Sequence, residues 1–111
     1  MKIINSLKTY EQAIIHNPLT VMIFVSDWCP DCHYMDLYLD ELESVFPTIH
    51  FYKVDREAVK DLSIHLNIYG VPSLLFYEDE ELIDSYIDKT RKSFHEVCTF
   101  IDQCLSKKER R

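Results

Sequence analysis

The apolar residues of this chain change spacing several times, and each change marks an element. Ile3-Ile4 is a short strand candidate at the start. Thr9-Tyr10-Glu11-Gln12 matches a helix capping box, and Tyr10, Ala13 and Ile14 then fall on one helical face. Asn17-Pro18 ends that helix. Leu19 to Ser26 is a β-branched run without strict alternation, the pattern of a central strand buried on both faces. After an interruption at Asp27–Cys32, Met35, Leu39, Leu42 and Phe46 recur at helical spacing among acids, predicting one amphipathic helix from Cys32 to Phe46, closed by Pro47.

The remainder reads as strand, helix, hairpin and helix. Ile49 to Val54 predicts a strand and Ala58 to Leu66 a shorter helix. Tyr69-Gly70-Val71-Pro72 is a turn, followed by a strand from Ser73 to Tyr77. The polar break Glu78-Asp79-Glu80-Glu81 and the alternation from Leu82 to Ile87 predict an antiparallel hairpin whose turn lacks glycine. Ser93-Phe94-His95-Glu96 is a second capping box, and Phe94, Val97, Cys98, Ile101, Cys104 and Leu105 form one apolar face behind it. The order β-α-β-α-β-α-β-β-α implies an α/β domain with a mixed sheet covered by helices on both faces.

Composition narrows the function classes. A length of 111 residues fits one domain, taken as residues 1–106, with a basic C-terminal tail at 107–111 that reads as a solvated helix end. The net charge of −7 argues against a nucleic-acid partner, which would call for a basic face. Met1-Lys2-Ile3-Ile4 runs directly into polar residues with no cleavage site, and the longest apolar run, Val21 to Val25, is too short to cross a bilayer. The expectation is a cytoplasmic protein without a membrane partner. In that reducing compartment, paired cysteines are catalytic or metal-binding more often than structural.

The chemistry concentrates at Cys29-Pro30-Asp31-Cys32. Pro30 suits the first position of a helix, since its φ is preset and its missing N–H needs no partner there. Cys29 then sits at the helix N-terminus, where free N–H groups favour a thiolate, the attacking species in disulfide exchange. Cys32, one turn inward, is the resolving thiol. Asp31 competes with the thiolate for the same positive end, which destabilises the Cys29 anion and makes the pair reducing. His33, if protonated, offsets Asp31; its other reading is an exposed helix position.

Trp28-Cys29-Pro30-Asp31-Cys32, the strand Val21–Val25 before it and Gly70-Val71-Pro72-Ser73 before a later strand together resemble the thioredoxin family across nearly the whole chain. The resemblance implies a thioredoxin fold and a thiol–disulfide oxidoreductase, working through a redox-active Cys29–Cys32 disulfide with no other cofactor and no metal. It implies a cis Pro72 beside the cysteines, a Val71 backbone that pairs with the substrate chain, and Trp28 on an apolar docking surface, where its alternative is a core aromatic. Implied partners are disulfide-containing proteins or small disulfides, with a thioredoxin reductase as electron donor, and a monomeric state. Three departures stand out. Pro30-Asp31 replaces the Gly-Pro of thioredoxins proper, the family's buried acid falls at Ile23, and a family glycine falls near Asp88, where a charged side chain narrows the docking surface.

Two rival readings remain open at this level. Cys29 and Cys32 are half of a zinc or iron–sulfur ligand set, completed by Cys98 and Cys104 or by His33. The missing buried acid also suits a non-enzymatic redox sensor or binding module.

Overall fold

Serine or proline at the starts of α1, α2 and α5, and apolar residues at matching spacing along the chain, accompany ten elements in the computed structural model, which describes residues 1–109. They are β1 (Lys2–Ile4), α1 (Leu7–His16), β2 (Leu19–Val25), α2 (Pro30–Asp36), α3 (Leu39–Val45), β3 (His50–Asp55), α4 (Lys60–His65), β4 (Ser73–Glu78), β5 (Glu81–Tyr86) and α5 (Phe94–Glu109). The sheet order is β1-β3-β2-β4-β5. β3 runs parallel to both β1 and β2, while β4 runs antiparallel to β2 and to β5.

The continuous apolar run of β2 is explained by its central place. Val21 and Ile23 point into a cluster with Met35, Leu39, Leu42, Val97, Ile101 and Cys104. Met22 and Phe24 point the other way, toward Tyr10, Ala13, Ile14, Val59 and Ile68. Both faces are therefore covered, and each fully buried aliphatic or aromatic side chain contributes about 1.5–3 kcal/mol. Among the described residues no helix is long and apolar enough to cross a membrane.

Two expectations are corrected. The cap of α1 is Ser6, in extended backbone, whose Oγ accepts the Thr9 N–H at 3.2 Å. Thr9 is thus inside the helix, because a competent acceptor precedes it by one turn. The predicted helix from Cys32 to Phe46 is broken between α2 and α3. Leu37 and Tyr38 donate to the carbonyls three residues back, at 3.2 and 3.1 Å, and Tyr38 leaves helical geometry at φ −127° and ψ 8°. The Tyr38 hydroxyl there donates to the Lys92 carbonyl at 2.7 Å, and its ring meets Phe94 at 5.6 Å. The apolar spacing continues across the break, so periodicity alone could not reveal it.

Other signals translate directly. Ser93 and Glu96 form the reciprocal capping box of α5, with bonds of 3.0 and 3.1 Å. The β4–β5 hairpin closes on Asp79 and Glu80 with φ of 48° and 73°, the left-handed pair that a two-residue hairpin turn requires. Without glycine that geometry costs roughly 1–2 kcal/mol per residue. α5 continues past residue 106, and Lys107 Nζ pairs with Asp84 on β5. The rest of the predicted basic tail, Arg110 and Arg111, lies outside the described residues.

Candidate active site

The end of β2 and the start of α2 place the two cysteines. Cys29 is the cap of α2 with Pro30 in its first turn, and the Cys32 N–H donates to Cys29 Sγ at 3.1 Å. The Cys29 thiol lies 3.7 Å from the Val71 carbonyl, to which it donates. α2 has seven residues, and this backbone N–H at its first turn points directly at the Cys29 sulfur. Both cysteines are buried. Burial pushes the Cys32 thiol up to about 12; its hydrogen bond to Cys29 adds to this, and the Ser26 N–H pulls the other way. The Val71–Pro72 peptide beside them is cis, as the resemblance implies.

Trp28 is 67% exposed, which rules out the core-aromatic alternative. Its indole is nevertheless held, since Nε1 donates to Glu57 Oε1 at 3.0 Å. Glu57 also accepts from the Ser26 hydroxyl at 2.9 and 2.8 Å. Partial burial opposes the charge on Glu57, but the bonds from Trp28 and Ser26 outweigh it and hold the carboxyl below its ordinary range. The anchor is therefore intact above the ordinary glutamate pKa and is lost only as pH falls through the lowered value. Trp28 is the sole tryptophan, so Glu57→Ala is expected to lower its fluorescence anisotropy at neutral pH while far-UV circular dichroism stays unchanged. Equal anisotropy in the two proteins would refute the anchor.

His33 is exposed on α2 and makes its contacts away from Asp31. His33 Nε2 lies 2.8 Å from the Asp27 carbonyl, and Nδ1 lies 3.7 Å from Asp36. Asp31 instead accepts from Arg91 Nε at 2.8 Å, and the Arg91 guanidinium lies 4.3 Å over the Tyr34 ring. Arg91 is delivered by the segment between β5 and α5. There Asp88 Oδ1 accepts from Thr90 N, Thr90 Oγ1 and Lys92 Nζ at 2.9, 2.8 and 2.6 Å. The Asp88 carboxylate is thus drawn back into its own segment. A Cβ at Gly70 would meet the Asp88 carbonyl oxygen at 2.5 Å, so only glycine allows the turn before Val71 to approach this segment.

Ile23 is wholly buried among apolar neighbours, and no acid occupies that place. Cys104 is buried in the cluster beneath α5 and Cys98 packs partly against it, whereas Cys29 and Cys32 pack in the other cluster. The four cysteines are not brought together, and among the described residues no three potential ligands gather at one point. Sequence reasoning missed Ser26, Glu57, Tyr34 and Arg91. Each acts through a partner distant in sequence, such as the 60 positions between Asp31 and Arg91, and no local pattern signals such a pair.

Comparison with known proteins gives a consistent result. The thioredoxin family model matches residues 2–102. Thioredoxin-2 of Pyricularia oryzae is 25% identical over 84 residues, covering 76% of this chain and 49% of that protein. Thioredoxin 1 of Plasmodium falciparum is 24% identical over 87 residues, covering 78% of this chain and 84% of its own. The chain thus spans about half the length of the Pyricularia relative and most of the Plasmodium one. A solved Plasmodium falciparum thioredoxin superposes with a TM-score of 0.82 at 21% identity, over 93% of this chain and 98% of that one.

Proposed function

The chain belongs to the thioredoxin family, and from that premise we propose that it is a thiol–disulfide oxidoreductase that reduces protein or small-molecule disulfides through Cys29 and Cys32. The observation that carries this reading is the Cys29 sulfur, capped by the Cys32 N–H at 3.1 Å beside the Val71 carbonyl. That N–H offers the anion a hydrogen bond before any substrate arrives.

The cycle runs in two exchanges. The Cys29 thiolate attacks one sulfur of the substrate disulfide, and the other leaves as a thiolate that takes a proton from water. Cys32 then loses its proton and attacks Cys29 Sγ, which releases the second substrate thiol and closes the Cys29–Cys32 disulfide. Two electrons and two protons have passed to the substrate, and a thioredoxin reductase or another dithiol donor returns them. Trp28 supplies the exposed apolar surface for the substrate, Val71 and Pro72 the backbone edge for it, and Pro30 and Asp31 tune the pair. The raised thiol of Cys32 and the apolar Ile23 favour a second reading, a slow redox sensor that stays engaged with one partner.

Equilibration with glutathione, followed by mass-tagging of free thiols, tests the proposal. The expected result is a Cys29–Cys32 disulfide with a potential near the thioredoxin range, roughly −270 mV, together with turnover of generic disulfides. A pair that never closes sinks both readings. A pair that closes but turns over only with one tight protein partner selects the sensor.

A further inference from the structure

A carboxylate two positions after Cys29 makes a second negative charge there less favourable, by ordinary Coulomb repulsion. The structure shows that Asp31 is not left to act alone. Arg91 Nε donates to its Oδ1 at 2.8 Å, and the guanidinium lies over Tyr34, three residues further along the same helix. Arg91 is 54% exposed, and exposed ion pairs ordinarily contribute little because two mobile side chains must be ordered. Here much of that ordering is built in. The stack on Tyr34 restrains the side chain, and the residues on both sides are pinned. Before it, Thr90 is tied to Asp88; after it, Lys92 is wholly buried, donating to Asp88 and to the Thr90 carbonyl, while its own carbonyl accepts from Tyr38.

We infer that Arg91 is a positioning residue for Cys29: it neutralises Asp31 and holds it on the Tyr34 side, so that the Cys29 anion does not face an unpaired carboxylate. The inference rests on the reading of Cys29 as the attacking sulfur. Of the titratable groups around the cysteine loop, Asp27 is exposed to solvent, and three others have partners of their own. His33 faces the Asp27 carbonyl and Asp36, Glu57 is bound to Ser26 and Trp28, and the Cys32 thiol donates to Cys29 itself. Lys89 lies on the same segment as Arg91, with its Cγ near Gly70.

The test is the pH profile of Cys29 alkylation by iodoacetamide in the reduced full chain, read by peptide mass, for wild type, Arg91→Met, Asp31→Asn and the double variant. Arg91→Met is expected to move the profile to higher pH and slow Cys29 at neutral pH about threefold, the effect of one charge several ångströms away in a watery setting. The shift is expected to shrink in high salt and to be partly rescued by Arg91→Lys. In the Asp31→Asn background, Arg91→Met is expected to change little. Coincident wild-type and Arg91→Met profiles overturn the inference alone, and an equal shift in the Asp31→Asn background overturns the route through Asp31. A wild-type Cys29 that reacts no faster than Cys98 overturns the assignment of the nucleophile, and this inference falls with it.

Discussion

Cys32→Ser is expected to stop the protein after half a turnover, with one substrate thiol held on Cys29 and steady-state reduction lowered on the order of a thousandfold. Cys29 keeps its cap in this variant, because the contact comes from the backbone N–H of residue 32 and not from its side chain. Attack on the substrate therefore proceeds, and the adduct appears in intact mass. What is lost is the sulfur that resolves it. In the wild type the same step is expected to be the pH-sensitive one. Burial, and then the bond to Cys29, hold the Cys32 thiol up at about 12, and with Ile23 in the core there is no acid at that place to take its proton. A raised thiol pKa means less thiolate at any lower pH, so resolution should accelerate steadily from about pH 6 to about pH 9. Stopped-flow measurement of adduct decay reads this directly. Adduct decay that does not depend on pH would show that another group deprotonates Cys32. Rapid turnover by Cys32→Ser would show that resolution does not need this thiol at all.

The parts of the fold that were legible in the sequence are those governed by neighbours along the chain. The buried run Leu19–Val25, the capping box at Ser93 and Glu96, and the proline one residue past Cys29 each act within a few residues, and each appears where its local chemistry puts it. The break at Tyr38 is decided by a carbonyl 54 positions away, and the pairing of Asp31 by an arginine 60 positions away. Neither partner has a sequence pattern that distinguishes it from a solvated surface residue. Phe100 was missed from the α5 face for a related reason: it sits on the flank of the apolar stripe and is buried by Tyr86 of β5, at 5.7 Å between ring centres. The error at Thr9 is of another kind. Two hydroxyl residues three positions apart both fit a cap, and the chain uses the one that follows β1 in extended backbone.

Asp88→Ala is expected to cost about 3 kcal/mol of folding stability, because it leaves Lys92 buried without its carboxylate. Lys92 has no exposed surface, and without Asp88 its ammonium keeps the Thr90 carbonyl at 2.9 Å, the Tyr86 ring at 4.8 Å and a through-space attraction to Glu96, with no carboxylate bonded to it directly. For a domain of this size the loss corresponds to a fall in Tm of roughly 13 °C. Replacing the lysine as well, in Asp88→Ala/Lys92→Met, should recover part of the loss, since it removes the stranded charge and fills the site with apolar volume. Losses that simply add would show that the pair is not the unit of stability. The pH dependence has a definite sign. Partial burial opposes the Asp88 charge, but the bonds from Lys92 and Thr90 outweigh it and hold the carboxyl below the ordinary aspartate range. Its contribution is complete above the unfolded pKa of about 3.9 and vanishes as pH falls through the lowered folded value. Urea titrations of wild type and Asp88→Ala should therefore converge in acid. The same substitution also frees the backbone that presents Arg91, so Cys29 alkylation should slow in the direction seen for Arg91→Met. Stability lost with Cys29 reactivity unchanged would separate the buried pair from the active site.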